Sequence, residues 1–590
     1  MQDFQDAGYQ KTFRHTSAHI LAHAVKRLYP ETHLAIGPAI DNGFYYDFDR
    51  AEPFTVAELS TIEDEMKKIV RERLPIERFE LDRAAARALM IEKDEPYKVE
   101  LIDELPEDAV ISFYRQGDFV DLCAGPHLED TGAVKALKLT QTAGAYWRGS
   151  EKNKMLHRIY GTSFPDKEQL KAYLAMVEEA RKRDHNKLGR ELGYFTTVDY
   201  IGQGLPILLP KGARVFQLLT RFVEDEEERR GYQLTKTPYM AKSDLYKISG
   251  HWHHYREGMF IIGDPEQADT TEVMALRPMT CPFQFQAYLT KTRSYRDLPI
   301  RYNETSTLFR NESSGEMHGL IRLRQFTISE GHLVVAADQL EKEFRGCVDL
   351  ARFMIDTLGF EDDVSYRFSK WDPANTEKYI GNAEQWDAVQ DTMQGILDHM
   401  QLDYQTAIGE AAFYGPKLDI QIKNVFGKED TLITIQIDFQ LAERFGMEYT
   451  DRDGEKKHPI VIHRTSIGCY ERTLALLIEK YAGALPLWIA PEQVRVLPIS
   501  EKHHDEAIAL KEKLVLAGFR AEVDNRDEKI GKKIREAQME KIPYMLVLGD
   551  QEIADGTVAV RTRREGDIGA QPVDALISRL REEVDSRKKN

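Results

Sequence analysis

Hydrophobic spacing along the chain predicts a mixture of helices and strands. Residues 13–29 carry a helical pattern that Pro30 ends, and residues 166–190 form a charged helical stretch that stops near two glycines. Between about residues 191 and 486, runs such as 432–439 alternate apolar and polar side chains, which is typical of antiparallel strands. The acidic run 224–230 is predicted to be an exposed helix end without chemistry of its own.

About the last hundred residues follow a different pattern. Strand-like runs at 494–499, 519–523 and 544–548 alternate with helical runs at 502–517 and 530–541. This alternation predicts a separate, doubly wound α/β domain at the C-terminal end. The fold class we expect is therefore an α/β multidomain protein.

Length and composition narrow the class of protein. At roughly 100–200 residues per domain, a chain of 590 residues is expected to form about three to five domains. No run of about 18 apolar residues occurs, so we expect no membrane span. Only four cysteines are present and they lie far apart, which argues against a disulfide framework and favours a reducing cytoplasm.

The net charge of −18 by itself disfavours nucleic-acid binding. Basic side chains nevertheless cluster near the C-terminus, at residues 529–535 and 561–564. Taken alone, such clusters are most simply solvated surface. An acidic protein with a local basic surface is still compatible with RNA binding.

Three blocks of sequence indicate ATP chemistry when they are taken together. The first is residues 230–240, where a charged helix enters a strand. The second is residues 309–312, followed after a loop by 322–326, and the third is residues 468–472 at the start of an apolar helix. Their order and spacing resemble motifs one, two and three of class II aminoacyl-tRNA synthetases.

The residue types in these blocks suit a reaction at the α-phosphate of ATP. A guanidinium is always charged and can meet two phosphate oxygens, so Arg310 is the candidate for the α-phosphate. Arg322 and Arg472 are candidates for the γ-phosphate or for stacking on adenine. Glu312 can accept from the adenine amino group, and Phe326 can stack under the base. We expect Mg²⁺ to bridge the phosphates.

Cys281, His332 and His463 are far apart in sequence, and their spacing alone does not indicate a metal site. From Phe13 to about Arg581, however, the chain resembles the bacterial threonyl-tRNA synthetases. The resemblance implies that these three residues are the family's zinc ligands, with one Zn²⁺ per subunit. A Cys and two His leave an open position for substrate, as in catalytic zinc sites.

Zinc is expected to solve a problem of selectivity. An apolar pocket separates near-isosteric threonine and valine only about 100-fold, whereas a metal that binds both the amino group and the hydroxyl rejects valine. Serine carries both groups and is accepted, so a correcting site is needed.

The N-terminal region resembles the synthetase editing domain, which hydrolyses seryl-tRNA by activating water. Its candidate residues are His19 and His23, four apart on a predicted helix, with Asp121, Cys123 and His127. From spacing alone, the H-x-x-x-H and C-x-x-x-H pairs also suit a second zinc site. The resemblance favours editing without metal.

Several positions depart from the usual family pattern. Glu330 stands where an aspartate is expected to hold the polar groups of threonine, and Ile328 stands where a glutamine is expected. Cys469 replaces a common serine, and Ser313 replaces a frequent proline. Further candidates for the substrate pocket are Met279, Tyr414 and Gln436.

The resemblance implies four regions: an editing domain (1–165), a linker helix (166–190), a class II catalytic domain (191–486) and an anticodon-binding domain (487–590). In the last, Asp527, Glu552 and Arg561 are candidates for contacts to anticodon bases, with neighbouring lysines on phosphate. A small N-terminal domain of bacterial relatives is expected to be missing. Motif one is expected to lie at the interface of a homodimer.

The expected function is a cytoplasmic threonine–tRNA ligase that uses threonine, ATP and tRNA(Thr). Two alternatives stay open at this point. One is a synthetase-like RNA-binding or regulatory protein that has lost catalysis, including a factor that only clears seryl-tRNA. The other is a class II ligase for a different amino acid, such as serine or proline.

Overall fold

The computed structural model describes residue 4 and residues 6–150 and 152–589. The chain forms two compact units, Met1–Glu178 and Glu179–Asn590, which are described separately. Helix and sheet occur in both, so the predicted α/β class is confirmed. In the described part of the chain, no helix is long and apolar enough to cross a membrane.

The described residues of the first unit form two antiparallel sheets, four complete α-helices and the start of a fifth. Strands β1, β3, β8 and β7 form one sheet in that order with β2 beside β3, and β4, β5 and β6 form the other. The helices are α1 (Ala7–Leu28), α2 (Val56–Glu72), α3 (Arg83–Glu92) and α4 (Pro96–Glu104). The strands are β1 (His33–Leu34), β2 (Ala39–Ile40), β3 (Gly43–Asp49), β4 (Ile76–Leu81), β5 (Ile111–Gln116), β6 (Phe119–Leu122), β7 (Ala136–Tyr146) and β8 (Met155–Phe164).

Helix α1 supplies His15, His19 and His23. The Asp6 side chain accepts from the Tyr9 backbone N–H and caps its start. Its central residues 16–25 are all buried, because α1 packs against α2 on one side and against the larger sheet on the other. His19 and His23 are therefore held in a dry environment, whereas His15 is half-buried.

The predicted linker helix is broken into two. Helix α5 (Lys167–Arg183) contains the boundary between the units, and α6 (His185–Glu191) follows it. Asp184 lies between them with a non-helical backbone, and its side chain accepts from the Lys187 backbone N–H at 3.0 Å. The single helix over 166–190 was thus wrong, because Asp184 starts a new helix as its N-cap.

The second unit is built on an eight-stranded sheet in the order β11-β15-β16-β23-β20-β19-β17-β18. Its helices are α7 (Pro210–Arg229), α8 (Ser243–Ile248), α9 (His251–His254), α10 (Cys281–Leu289), α11 (Leu340–Leu358), α12 (Ala383–His399), α13 (Leu441–Arg444) and α14 (Tyr470–Lys480). Its strands are β9 (Phe195–Thr196), β10 (Ile207–Leu208), β11 (Gln233–Leu234), β12 (Met240–Lys242), β13 (Ile261–Ile262), β14 (Met274–Leu276), β15 (Ile300–Phe309), β16 (Gln325–Val335), β17 (Val364–Lys370), β18 (Tyr404–Ile408), β19 (Lys417–Lys423), β20 (Glu429–Asp438), β21 (Tyr449–Thr450), β22 (Lys456–Lys457) and β23 (Ile460–Cys469).

The expected exposed acidic helix end is partly wrong. Glu226 and Glu227 are buried near the end of α7. The Glu227 carboxylate lies 2.6 Å from the buried guanidinium of Arg464 on β23, and it also accepts from Ser466 and Asn303. A buried charge needs such partners, and two of them, Arg464 and Ser466, lie more than 200 residues away in sequence. This pair ties α7 to the centre of the sheet.

The C-terminal part of the second unit has its own five-stranded sheet in the order β25-β24-β26-β27-β28. The elements are β24 (Val494–Pro498), α15 (His504–Leu516), β25 (Ala521–Val523), α16 (Ile530–Met539), β26 (Tyr544–Leu548), α17 (Asp550–Asp555), β27 (Thr557–Thr562), β28 (Gly566–Pro572) and α18 (Val573–Asp585). Strands β24, β25 and β26 are parallel, whereas β27 and β28 are antiparallel. Helices α15 and α18 share one core cluster and α16 belongs to another, which is the expected doubly wound layering.

Candidate functional site

Cys281, His332 and His463 come together at the centre of the eight-stranded sheet. Cys281 is the first residue of α10, and His332 on β16 pairs directly with His463 on β23. One donor atom from each lies within 4.8 Å of the other two, and all three side chains are buried. Strand pairing therefore brings the two histidines together, and the start of α10 adds the sulfur.

Hydrogen bonds orient both imidazole rings toward this group. Gln284 donates its amide N–H to Thr235, so its oxygen faces Nδ1 of His332 and accepts from it. That leaves Nε2 of His332 buried, with no hydrogen-bond partner in the described part of the chain. Nε2 of His463 lies 2.9 Å from a carboxylate oxygen of Asp438, which only accepts, so Nδ1 carries the lone pair. Burial keeps the pKa of His332 well below its usual range.

This donor set fits zinc. Two neutral imidazole nitrogens and one sulfur are the ligands that Zn²⁺ prefers, and the outer hydrogen bonds to Gln284 and Asp438 are typical partners of metal-bound histidines. Three protein ligands leave a position for substrate.

A cavity of about 580 Å³ opens beside the cluster. All of the residues predicted to bind ATP or threonine line this cavity. Of the three metal-ligand candidates, Cys281 and His463 line it and His332 does not. The lining candidates are Met279, Cys281, Arg310, Glu312, Arg322, Phe326, Glu330, Tyr414, Gln436, His463 and Arg472.

The arginines of the cavity are held in different ways. The Arg310 guanidinium lies 5.2 Å from the centre of the Phe326 ring, and its Nε has no hydrogen-bond partner among the residues that the structure describes. Arg322 is paired with Glu312 at 2.8 Å. Arg472 donates to the backbone carbonyls of residues 321 and 431. Arg310 is thus free to meet an anion, while Arg472 is fixed by the backbone.

The threonine candidates lie next to the metal-ligand candidates. The Tyr414 hydroxyl donates to Gln436 at 2.5 Å, and the Tyr414 ring lies 5.0 Å from that of His463. Glu330 accepts from the Thr280 backbone N–H at 3.2 Å, and its other oxygen is 3.7 Å from Nε2 of His332. Burial raises the pKa of Glu330. This longer side chain therefore reaches the cluster.

Lys417 and His251 are among the residues that line the cavity and that sequence reasoning missed. Lys417 lies 2.8 Å from Asp419. Its position three residues after the pocket candidate Tyr414 was the only feature of the sequence that could have indicated it. His251 at the start of α9 is buried, and burial lowers its pKa to about 3. Only the histidine-rich run at 251–254 could have indicated it.

The first unit contains a second group of donor atoms, and it differs from the expected one. His15, His19, Cys123 and His127 have donor atoms within 4.8 Å of one another. The Cys123 sulfur lies 3.3 Å from a nitrogen of His15 and of His127. His15, which the sequence analysis did not select, therefore belongs to the group. His23 does not.

His23 is engaged elsewhere. It lies over the Phe119 ring, 5.1 Å between centres, and contacts Asp118 and Gln116 through its two nitrogens. Burial and the nearby Arg27 lower its pKa to about 4. Residues 15, 19 and 23 are each four apart, so the sequence contained two H-x-x-x-H pairs, and packing selects the first.

Asp121 lies beside the group but pairs with a residue that the sequence analysis missed. The buried Lys98 is 2.7 Å from Asp121, and the Tyr46 hydroxyl donates to the same carboxylate at 2.6 Å. His19 is 3.6 Å away. Lys98 gave no sequence signal beyond an ordinary charged position on a helix.

The anticodon candidates are not drawn into one cluster of contacts. Asp527 is exposed before α16, Glu552 accepts from the Gly549 backbone N–H at the start of α17, and Arg561 on β27 pairs with Asp567. Of the neighbouring lysines, Lys533 is buried and donates to backbone carbonyls. The expected phosphate contact is therefore wrong for Lys533.

Family models match three parts of the chain. They describe a tRNA synthetase class II core domain (G, H, P, S and T) at residues 265–481 and an anticodon binding domain at 493–583. The third is the threonyl and alanyl tRNA synthetase second additional domain at 111–160. The cavity and metal-ligand candidates thus lie almost entirely in the core match.

Individual relatives agree with these models. A Clostridium perfringens protein named threonine–tRNA ligase is 62% identical over 98% of this chain and 89% of its own length. An Acetivibrio thermocellus protein of the same name is 48% identical over 99% and 90%.

Solved structures are similar as well. The RNA binding domain of threonyl-tRNA synthetase from Cryptosporidium parvum Iowa II has a TM-score of 0.64 at 33% identity, covering 68% of this chain and 98% of that one. Prolyl-tRNA synthetase from Cryptosporidium parvum, at 18% identity and a TM-score of 0.53 over 68% of this chain and 75% of that one, shares the fold. The chain therefore belongs to the threonine–tRNA ligases, the threonyl-tRNA synthetases, with a class II core and the second additional domain.

Proposed function

We propose that this ligase selects threonine with a Zn²⁺ ion held by Cys281, His332 and His463. The observation that carries the proposal is the meeting of their donor atoms within 4.8 Å, beside a cavity whose lining includes Arg310, Arg322 and Arg472. The ion supplies Lewis-acid binding of the amino nitrogen and hydroxyl of threonine when present. Valine has no hydroxyl and is excluded.

The chain's own residues then prepare the first chemical step. A carboxylate oxygen of threonine forms a bond to the α-phosphorus of ATP, and the bond to pyrophosphate breaks. Arg310, which has a free guanidinium nitrogen over Phe326, meets the charge that develops on the α-phosphate. Arg322 and Arg472 bind the γ-phosphate or adenine, and Mg²⁺ accompanies ATP.

The second step transfers the threonyl group to tRNA. A terminal ribose hydroxyl of tRNA(Thr) attacks the carbonyl carbon of threonyl-adenylate, and AMP leaves. We assign base contacts in the anticodon to Asp527, Glu552 and Arg561. Asp527 is exposed, which supports its assignment to a base contact. Glu552 and Arg561 would have to give up their contacts to Gly549 and Asp567 in order to bind an RNA base.

We further propose that His15, His19, Cys123 and His127, with Asp121, hydrolyse mischarged seryl-tRNA without a metal. Burial lowers the pKa of His15, His19 and His127, so these rings are neutral at pH 7. The pKa values of His19 and His127 lie far below the usual range, which makes them weak bases, so His15 is the ring that we assign to take a proton from water. Burial also raises the pKa of Cys123 to about 12, which keeps the thiol protonated and disfavours it as nucleophile. His23 supports the helix and takes no part.

We propose a cytoplasmic homodimer. Large apolar side chains stand exposed in and near motif one: Leu234 is 64% exposed, and Tyr239 and Met240 are each 43% exposed. A second copy of the chain on this face would cover them.

Exchange of pyrophosphate into ATP tests the ligase proposal. We expect strong exchange with threonine, some with serine and almost none with valine, and loss of all exchange after zinc is removed. Equal exchange with threonine and valine would contradict zinc selection. No exchange with threonine in metal-replete protein would favour an inactive RNA-binding role instead.

Deacylation of seryl-tRNA(Thr) tests the editing proposal. The variant His15→Gln is expected to lose hydrolysis by about 100-fold or more, as removal of a general base typically does. The matched control is His23→Gln, a buried histidine on the same helix face, which should retain hydrolysis. The reverse result would reinstate His23.

A further inference from the structure

A buried histidine outside these sites connects segments around the ATP cavity. His185 is the first residue of α6 and is fully buried. Its Nε2 accepts from the Leu320 backbone N–H at 3.2 Å, and its Nδ1 lies 2.7 Å from a carboxylate oxygen of Glu479. Because Nε2 accepts, the ring proton is on Nδ1 and is donated to Glu479.

The same histidine forms a group with Asp184 and His318 whose donor atoms lie within 4.8 Å. A metal ligand needs an unshared imidazole lone pair. The lone pair of His185 is already used by Leu320, and its proton by Glu479. Asp184, His185 and His318 therefore lie close together without forming a metal site, and the ring of His185 serves to hold Leu320 and Glu479.

The turn that His185 holds carries two groups of the ATP cavity. Ile321, next to Leu320, accepts from Nε of Arg472 at 3.0 Å, and Arg322 follows directly. The fit is close at Gly319, which has φ +50° and where an added Cβ would stand 2.1 Å from Nε2 of His185. The turn over 318–322 is thus fitted to the ring.

Glu479 extends the contact to a second segment. Its other oxygen lies 3.5 Å from the Val425 backbone N–H, in the turn between β19 and β20. Strand β20 supplies Thr431, whose carbonyl is the other backbone acceptor of Arg472. Glu479 and Arg472 are also both on α14. Both carbonyls that fix Arg472 therefore belong to segments held by the His185–Glu479 pair.

We propose that His185 is a positioning residue for ATP, acting through the 318–322 turn on Arg322 and Arg472. The inference rests on the proposed role of those arginines in binding ATP. It concerns ATP and not threonine, because the hydrogen bonds of the His185 ring within the described residues go to Leu320 and Glu479, whereas the metal-ligand candidates are on α10, β16 and β23. It makes part of the predicted linker a support of the catalytic site.

Steady-state pyrophosphate exchange with two variants tests the inference. In His185→Asn the amide can still reach Glu479 but not Leu320, so we expect the KM for ATP to rise about five- to tenfold, the worth of one hydrogen bond. The KM for threonine should stay unchanged. In His185→Gln the amide oxygen reaches the position of Nε2 and should restore the KM for ATP to within about threefold of wild type.

Controls separate positioning from general damage. His503→Asn removes a buried histidine paired with Asp550 in the C-terminal domain and should leave the KM for ATP unchanged. If His185→Asn does not fold, Glu479→Gln weakens the second bond of the ring, the one from Nδ1 to Glu479, without leaving a cavity, and should also raise the KM for ATP.

Three results would overturn the inference. One is an unchanged KM for ATP in folded His185→Asn. Another is a fall in kcat and Tm with every KM unchanged, which is what a merely structural residue gives. Arg472→Lys distinguishes the underlying proposal: if it too leaves the KM for ATP unchanged, the ATP role of Arg472 fails and the inference fails with it.

Discussion

At the scale of single residues, burial decides which side chains can do chemistry. The metal-ligand candidates are buried, and each histidine has one nitrogen committed to an outer partner and one turned to the cluster. Glu330 reaches the same cluster with a carboxylate whose pKa burial raises. Removing a single donor atom from these buried residues should therefore change the measured zinc affinity.

Replacing Cys281 with alanine removes the sulfur donor. We expect zinc affinity to fall by more than the roughly 10–100-fold that loss of an outer partner gives, because a direct ligand is lost. Metal analysis after dialysis measures this, together with threonine-dependent exchange. The control is Cys347→Ala, another buried cysteine, in the core beside Tyr232. Zinc retained at full occupancy in Cys281→Ala would contradict the ligand set.

The pKa of His23 predicts acid sensitivity. Its folded pKa of about 4 lies below the unfolded value of about 6.5, so the unfolded chain binds a proton more readily between those values. The stability from this residue is complete above pH 6.5 and is lost as pH falls toward 4, by roughly 2 kcal/mol at pH 5.

Thermal unfolding at pH 7 and pH 5 measures that loss. His23→Gln cannot titrate in this range, so its Tm should fall less between the two pH values than that of wild type. An equal fall in both proteins would mean that His23 is not the source.

At the scale of elements, the pairing of β16 with β23 is what places both histidines. Gly331 faces Arg464 in this pair, next to His332 and His463. A Cβ on Gly331 would stand 2.5 Å from the Arg464 guanidinium, which is held by Glu227 and is buried. Because residue 331 has no side chain, the buried Arg464 guanidinium can lie over its backbone and reach Glu227.

Gly331→Ala should disturb this pair. We expect a loss of about 2–4 kcal/mol in unfolding free energy, from overpacking and a weakened buried ion pair, with lower zinc affinity. Denaturant unfolding and metal titration measure both. Gly346→Ala is the control, because that helical glycine has open space for a Cβ and should be stabilised by up to about 1 kcal/mol. Equal behaviour of the two variants would refute the packing argument.

At the scale of the whole molecule, two arginines secure the segment that joins the core to the C-terminal sheet. Arg563 donates to the carbonyls of Ala484 and Leu485, and Arg520 to those of residues 487, 488 and 490. Burial lowers the pKa of each to about 10, so both stay charged at pH 7. Backbone carbonyls, and not carboxylates, hold these guanidiniums.

Arg563→Ala should loosen this segment without touching the ATP cavity. We expect kcat/KM for tRNA to fall by about tenfold, equivalent to about 1.4 kcal/mol, while threonine-dependent pyrophosphate exchange is unchanged. Aminoacylation and exchange assays separate the two. Its exposed neighbour Arg564 supplies the control as Arg564→Ala. A parallel fall in exchange would mean that Arg563 supports the core itself.

Prediction from sequence succeeded for features that depend on neighbouring residues or on a pattern of residue types along the chain. The α/β class, the alternating elements after residue 494 and the class II core are confirmed. The site assignments at Cys281, Arg310 and Arg472 stay predictions, although these residues line one cavity. Residue order and spacing indicated the class II synthetases, because three motifs constrain that class together, and the resemblance along the chain indicated the threonyl family.

The sequence by itself determined the composition of the candidate sites and the family. Tertiary structure decided which of them meet. Histidines 15, 19 and 23 share one helix face at the 3.6-residue repeat, so only packing against Cys123 and Phe119 separates His15 from His23. Likewise, the sequence around Glu227 is typical of an exposed helix end, but in the structure Glu227 is paired with Arg464 of β23. The sequence around His185 is typical of a linker, but His185 is bonded to Glu479 of α14. Partners hundreds of residues apart leave no local trace, because a buried polar side chain is satisfied through space.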